Sequence, residues 1–430
     1  MSIGYRVQTV VFASGERFPL LMEAGTGLPL FDATVFLLTQ LRATNRASST
    51  LEQAARAVMV LHQILDFLLI DLAARFSHGQ VLQMSEVEAI CRLCRLQQSA
   101  LDEMVCSDSR RPQRGSVHSL EQVRMAVGSA SNGKDVSAQT AAIRLIYIRD
   151  YIRWLANRSL LARDARNANR EHWSATASVM LEAISARIPG SSGRNVVGLR
   201  QGILSSELDR LVEVTHPDSP ENPWKGAHVR RRNRLIILCL LQLGLRKSEL
   251  LGLRLSDINF QSNEVLVARR PDDPVDPRVK EPNAKTRDRL LHLSDELAEL
   301  TREYVMTDRK SLPGARRHPF LIVAIRTGHP LTKVAVNKLF VELRSKVTGL
   351  PEQLSPHVLR HTWNDQFSEL MDEKGVAPEL EEQLRSQQMG WKNGSKTAAT
   401  YTRRHVDRKA REASLHLQER IQNRKSNGQG

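Results

Sequence analysis

Apolar positions along the chain change their period near its middle, and the change predicts two kinds of domain. Residues 1–27 carry short apolar runs punctuated by Gly15, Gly25 and Gly27, the mark of an irregular or β-rich extension. Helical spacing follows, with Leu51, Ala55, Val58, Leu61, Leu65 and Leu68 recurring every three or four residues on one stripe. Residues 84–104 continue in the same manner. Polar breaks at 107–116 and 128–137 interrupt the pattern, which resumes over 141–155 through Ile143, Ile146, Tyr147, Ile152 and Leu155. Arg144, Arg149 and Arg153 cannot all join that stripe. They face either solvent or a phosphate backbone, to which a guanidinium donates two hydrogen bonds.

Helical patterning stops at Ile188-Pro189-Gly190-Ser191-Ser192-Gly193, a composition that resists regular structure. Beyond it, the apolar run 235–243 reads as a buried helix ended by Gly244. Even extended to Leu245, this stretch is about half of the ~20 residues a membrane span needs. Short strand patterns at 264–269 and 289–293, separated by a Pro- and Asp-rich stretch at 271–282, predict a small sheet with a β-hairpin. The expected organisation is an extension (1–27), a helical domain (28–187), a linker (188–195), a mixed domain (196–405) and a basic tail (406–430). The fold class is mostly α with a small β-sheet in the second domain.

Charge adds a partner to this picture. Lys and Arg number 62 against 47 Asp and Glu, a net charge of +15, so the chain should attract polyanions, nucleic acid first. The run His228-Val229-Arg230-Arg231-Arg232-Asn233-Arg234 leads into the apolar helix, and Arg230, Arg231, Arg232 and Arg234 are expected to contact phosphates. A solvated helix start is the ordinary alternative. Four cysteines point to a reducing compartment, and Cys91-Arg92-Leu93-Cys94 has no second pair at metal-ligand distance. No metal or cofactor is expected. Residues 1–20 lack the basic flank and long apolar run of an export signal, so a cytoplasmic, nucleoid-associated protein with no membrane contact is expected.

Reactive side chains cluster in the second domain. Arg246, in Leu245-Arg246-Lys247-Ser248-Glu249, falls at a turn between helices beside an apolar core, where a charge needs a partner or a ligand; Glu249 is placed to orient it. Lys285, in Ala284-Lys285-Thr286, sits at the predicted hairpin tip, from which an ammonium reaches into a cleft and gives up a proton. Lys280 competes for that place because the Pro-rich interruption blurs the register. In His357-Val358-Leu359-Arg360-His361, preceded by the helix-starting Ser355-Pro356, His357 and Arg360 share a helix face, and His361 supports packing. Tyr401 follows Thr397-Ala398-Ala399-Thr400. Its phenol, with a pKa of about 10, needs neighbouring cations and a base to act as a nucleophile.

In this order and spacing the motifs resemble the tyrosine recombinases, the phage integrase family, strongly over about residues 196–405 and only in architecture before them. The resemblance implies a helical core-binding domain followed by an α+β catalytic domain, closing as a clamp on double-stranded DNA. It implies that Arg246 and Arg360 grip the scissile phosphate, that Glu249 supports Arg246, and that His357 and Lys285 move protons. Tyr401 would form a 3′-phosphotyrosine, without metal or ATP. Where the family usually shows Gly-His, this chain has Gly390-Trp391. The indole N–H of Trp391 can donate to phosphate or the ring can simply pack. A homotetramer on two duplexes is implied, with accessory DNA-bending or directionality proteins as further partners. The tail would contact a neighbouring protomer, bind DNA or fray. The expected activity is site-specific recombination that integrates or excises a mobile element. The alternatives are type IB topoisomerase-like relaxation and a DNA-binding regulator without catalysis.

Overall fold

The computed structural model describes residues 4–107, 135–162, 169–190, 202–392 and 403–426. The chain divides into two compact units, 1–196 and 197–430. Both are mainly helical, each with one small antiparallel sheet. No helix among the described residues is long and apolar enough to cross a membrane.

In the first unit, β1 (Tyr5–Val11) and β2 (Arg17–Glu23) form a hairpin in register from Tyr5↔Glu23 to Val11↔Arg17. The hairpin packs on α2 (Ser48–Phe67), which follows α1 (Phe31–Phe36). The predicted stripe holds on α2: Leu51, Ala55, Val58, Leu61 and Leu65 are buried. Residues 84–104 are not one helix but two, α4 (Met84–Leu93) and α5 (Gln98–Ser107), after the short α3 (Leu72–Ser77). The break has a cause: the chain between them pairs with residues 135–136, Val136 N donating to Arg95 O at 2.7 Å. Cys91 and Cys94 are buried beside it, and burial pushes the Cys91 thiol up to about 11.

The next helix, α6 (Ala138–Leu161), forms where the pattern predicts but buries a rotated face. Ala141, Leu145, Ile148, Ile152 and Leu155 are inside, whereas Ile146 is exposed. That 4-3-4-3 spacing outcompetes the stripe read through Ile143 and Ile146. With α7 (Asn169–Ala186), α6 closes the core of the unit.

The second unit is built around α9 (Ala227–Gln242), which follows α8 (Ser205–Val214). Every residue from Asn233 to Leu241 is buried, as expected of a helix enclosed on all sides. Beyond α10 (Lys247–Gly252) lies the sheet β3 (Ile258–Asn259), β4 (Glu264–Val267) and β5 (Arg289–His292), with Val265 opposite Leu291. Its β4–β5 connection is an ordered excursion rather than a tight hairpin. Arg270 pairs with Asp257, Arg254 with Asp273, and Arg278 with Asp276, each pair largely withdrawn from water. The helices α11 (Asp295–Glu303), α12 (Lys333–Lys346), α13 (Pro356–Glu373) and α14 (Pro378–Met389) follow, then α15 (Arg403–Ser426).

Candidate active site

The site starts from a glycine that holds a left-handed turn. Gly244 ends α9 with φ +59°, and a Cβ there would stand 2.7 Å from Met389 Cε and 3.0 Å from Trp363. The turn it permits puts Arg246 at the N-cap of α10. One turn on, Glu249 reaches back: its carboxylate accepts from Arg246 N and from Arg246 Nη1, both at 3.0 Å.

Glu249 gathers far more than Arg246. It accepts from Thr286 Oγ1 at 2.8 Å and from Arg289 Nη2 at 2.8 Å, and it lies 3.8 Å from Arg360 Nη1. Burial alone would raise its pKa, but Arg289, Arg360 and Arg246 outweigh burial and hold it at about 2. One buried anion thus ties α10, the segment before β5, β5 itself and α13 together.

Arg360 is fully buried on α13. It donates to Gly244 O, and its Cζ stands 5.5 Å from the centre of the Trp391 ring. His361 next to it is buried, while His357 one turn earlier is exposed, the two rings meeting edge to face at 4.7 Å. The helix start that aims them is the expected one, Ser355 capping Val358 N with Pro356 in the first turn.

Trp391 is fixed by its neighbour. Gly390 ends α14 at φ +66°, and a Cβ on it would meet Arg287 O at 2.8 Å. Arg287 N donates to Gly390 O at 3.0 Å, which seats Trp391 against the segment carrying Lys285 and Thr286. Lys285 is exposed and adjoins Thr286 of the Glu249 network. The structure therefore brings Arg246, Glu249, Lys285, Arg360 and Trp391 to one place, with His357 and His361 on the helix that bears Arg360. Tyr401 lies outside the described residues.

The arginines expected at phosphates have partners within the chain. Arg230 donates to Trp224 O and Pro217 O, each at 2.8 Å, and Arg231 holds the buried Asp308 with two hydrogen bonds. Arg232 donates to Asn233 Oδ1, and the buried Arg234 to Val212 O and Thr215 Oγ1. These guanidiniums fasten the start of α9 to its surroundings. Arg144 likewise donates to Cys94 O and Leu96 O, closing the α4–α5 break. Arg149 and Arg153 differ, since both reach Asp150 at the surface of α6.

Sequence reasoning missed Arg289, the nearest cation to Glu249. Its signal was present: in the alternating strand Arg289-Leu290-Leu291-His292, the arginine takes an inward position beside Leu291. Arg385 was missed as well; it is fully buried on α14 and donates to Asn364 O at 2.9 Å, holding α14 against α13.

Residues 204–408, which contain this constellation, match the phage integrase family. The match covers just under half of the chain. Transposase A from transposon Tn554 of Staphylococcus aureus is 27% identical over 183 residues, 40% of this chain and 44% of that protein. Tyrosine recombinase XerD of Lacticaseibacillus casei is 26% identical over 149 residues, 35% of this chain and 45% of that one. The chain thus spans less than half the length of these curated relatives. Among solved structures, XerH recombinase bound to palindromic difH covers 84% of this chain and 97% of its own, at 18% identity and a TM-score of 0.41.

Proposed function

We propose that this protein is a site-specific DNA recombinase of a mobile element, cleaving and rejoining DNA through Tyr401. The observation that carries this reading is the Glu249 network: a buried carboxylate holding Arg246, Arg289 and Arg360 beside Trp391 and the Lys285 segment. Cations so held are pre-oriented for a phosphodiester, and they stabilise the charge that gathers on its nonbridging oxygens. In the proposed step the Tyr401 oxygen attacks phosphorus, a P–O(Tyr) bond forms and the P–O5′ bond breaks. The tyrosyl proton passes to His357, and Lys285 protonates the departing 5′ oxygen. A 5′ hydroxyl from a partner strand then reverses the step and rejoins DNA in a new arrangement.

The arginines and Lys285 supply the positive charge in this scheme. The first unit would serve as the core-binding domain, and four protomers would assemble on two duplexes. The test is to incubate the protein and its Tyr401→Phe variant with nicked DNA from the borders of its own element, in EDTA. A covalent adduct formed only by the tyrosine form is expected. Specific binding without an adduct from either form would favour a regulator, and unchanged cleavage by Tyr401→Phe would sink the assignment of the nucleophile.

A further inference from the structure

A second group of cations stands beside the first and is not explained by it. Lys247, adjacent to Arg246, donates from Nζ to Asn337 Oδ1 of α12 at 2.6 Å. Lys333 lies one turn before Asn337 on that helix, so residues 333 and 337 share the face that meets Lys247. Burial lowers the pKa of both lysines, and Lys247, Arg278 and Lys280 lower Lys333 further against the opposing pull of Glu281. Arg278 is neutralised by the buried Asp276. Glu281 is itself engaged, accepting from the backbone of Asp272 and Asp273. Lys247 and Lys333 are therefore two half-buried ammoniums near one helix face, the first bonded to a neutral amide.

Half-burying like charges together is unfavourable unless an anion joins them. Lys333 also sits in the first turn of a fourteen-residue helix, where the helix dipole disfavours a cation, so its position is not explained by helix stability. The group adjoins Arg246 in the chain, so an anion seated there would lie close to one held by Arg246. Resting on the function proposed above, we infer that Lys247 and Lys333 seat a second backbone phosphate of duplex DNA, a neighbour of the one that is cleaved. They are positioning residues: they fix the register of the strand over Arg246 and take no part in the bond changes.

The test uses the full chain, a short duplex of arbitrary sequence and binding measured across a salt series. Each phosphate contact adds about 0.9 to the slope of log affinity against log salt. Because both lysines share one phosphate, the double variant Lys247→Gln/Lys333→Gln is expected to lower the slope by about 0.9, and each single variant by part of that. Between about 50 and 200 mM salt the wild type should lose affinity about 3.5-fold more than the double variant. Lys333→Arg should keep the wild-type slope, which separates lost charge from disturbed packing. A slope unchanged in the double variant would overturn the inference while leaving the proposed function standing. No duplex binding by the wild type would remove that function, and this inference with it.

Discussion

Replacing Glu249 by Gln should cost the second unit about 3 kcal/mol at neutral pH. The carboxyl ordinarily titrates near 4.5 and is held at about 2 in the folded chain, and each tenfold change in proton affinity is worth about 1.4 kcal/mol. An independent route gives a similar size: removing one member of a buried ion pair typically costs ~3–5 kcal/mol, because the partner is left uncompensated. Here the partners left behind include Arg289 and Arg360, with side chains 4% and 0% exposed. The folded value lies below the unfolded one, so this stability is complete above about pH 4.5 and is lost as pH falls towards 2. Urea unfolding followed by tryptophan fluorescence reads it, since Trp363 and Trp391 pack together next to the network. The gap between wild type and variant should be widest at neutral pH and close through that acid window. A gap below about 1 kcal/mol at neutral pH, or one that stays constant into acid, would refute the claim that Glu249 is the electrostatic centre of the site.

Gly390→Ala combines a left-handed backbone with a 2.8 Å approach to Arg287 O, so a loss of at least ~1–2 kcal/mol is expected in thermal unfolding. An unchanged melting temperature would mean that Trp391 is not held in the way described. Arg234→Met should lower stability by ~1–3 kcal/mol while leaving the salt dependence of DNA binding at the wild-type slope. A slope reduced by about one would instead restore Arg234 as a phosphate contact. Lys285→Met should block cleavage of ordinary DNA but not of DNA with sulfur at the 5′ bridging position, because a thiolate leaves without a proton. Lys280→Met should show no such rescue, and rescue of that variant would transfer the acid role to Lys280.

Much of the site was legible because its chemistry demands particular residue types at short spacing. Arg246 and Glu249 lie one turn apart, as do His357 and Arg360, and the capping residues Ser355 and Pro356 fix where their helix begins. Arg289 escaped because its meaning depends on a contact 40 residues away in sequence, and local patterning records only that it points inward. The partners of the basic run before α9 were hidden for the same reason. A string of arginines looks alike whether it faces a phosphate or a carbonyl, and only the tertiary positions of Val212, Trp224 and Asp308 decide. On α6 the helix was legible but its inward face was not, since isoleucines occupy both sides and only packing against the neighbouring helices selects one.

Charge in the second unit is arranged in layers, and the layers have different work. Glu249, Arg289 and Arg360 are withdrawn from water, whereas Lys285 and His357 are exposed and Arg246 lies between, its side chain 25% exposed. Under the proposed function an incoming phosphate would meet Arg246 before Arg360, and contact with Arg360 would require a local shift around a side chain that is 0% exposed in this conformation. Such an order has a consequence for substitutions. Changes at Glu249 should act first on stability and only through it on DNA, changes at Arg360 on both, while changes at Lys285 or His357 should leave the fold intact and act on the proposed bond changes. Arg246 spans both classes, because it is fixed by the inner carboxylate and presented to the outside.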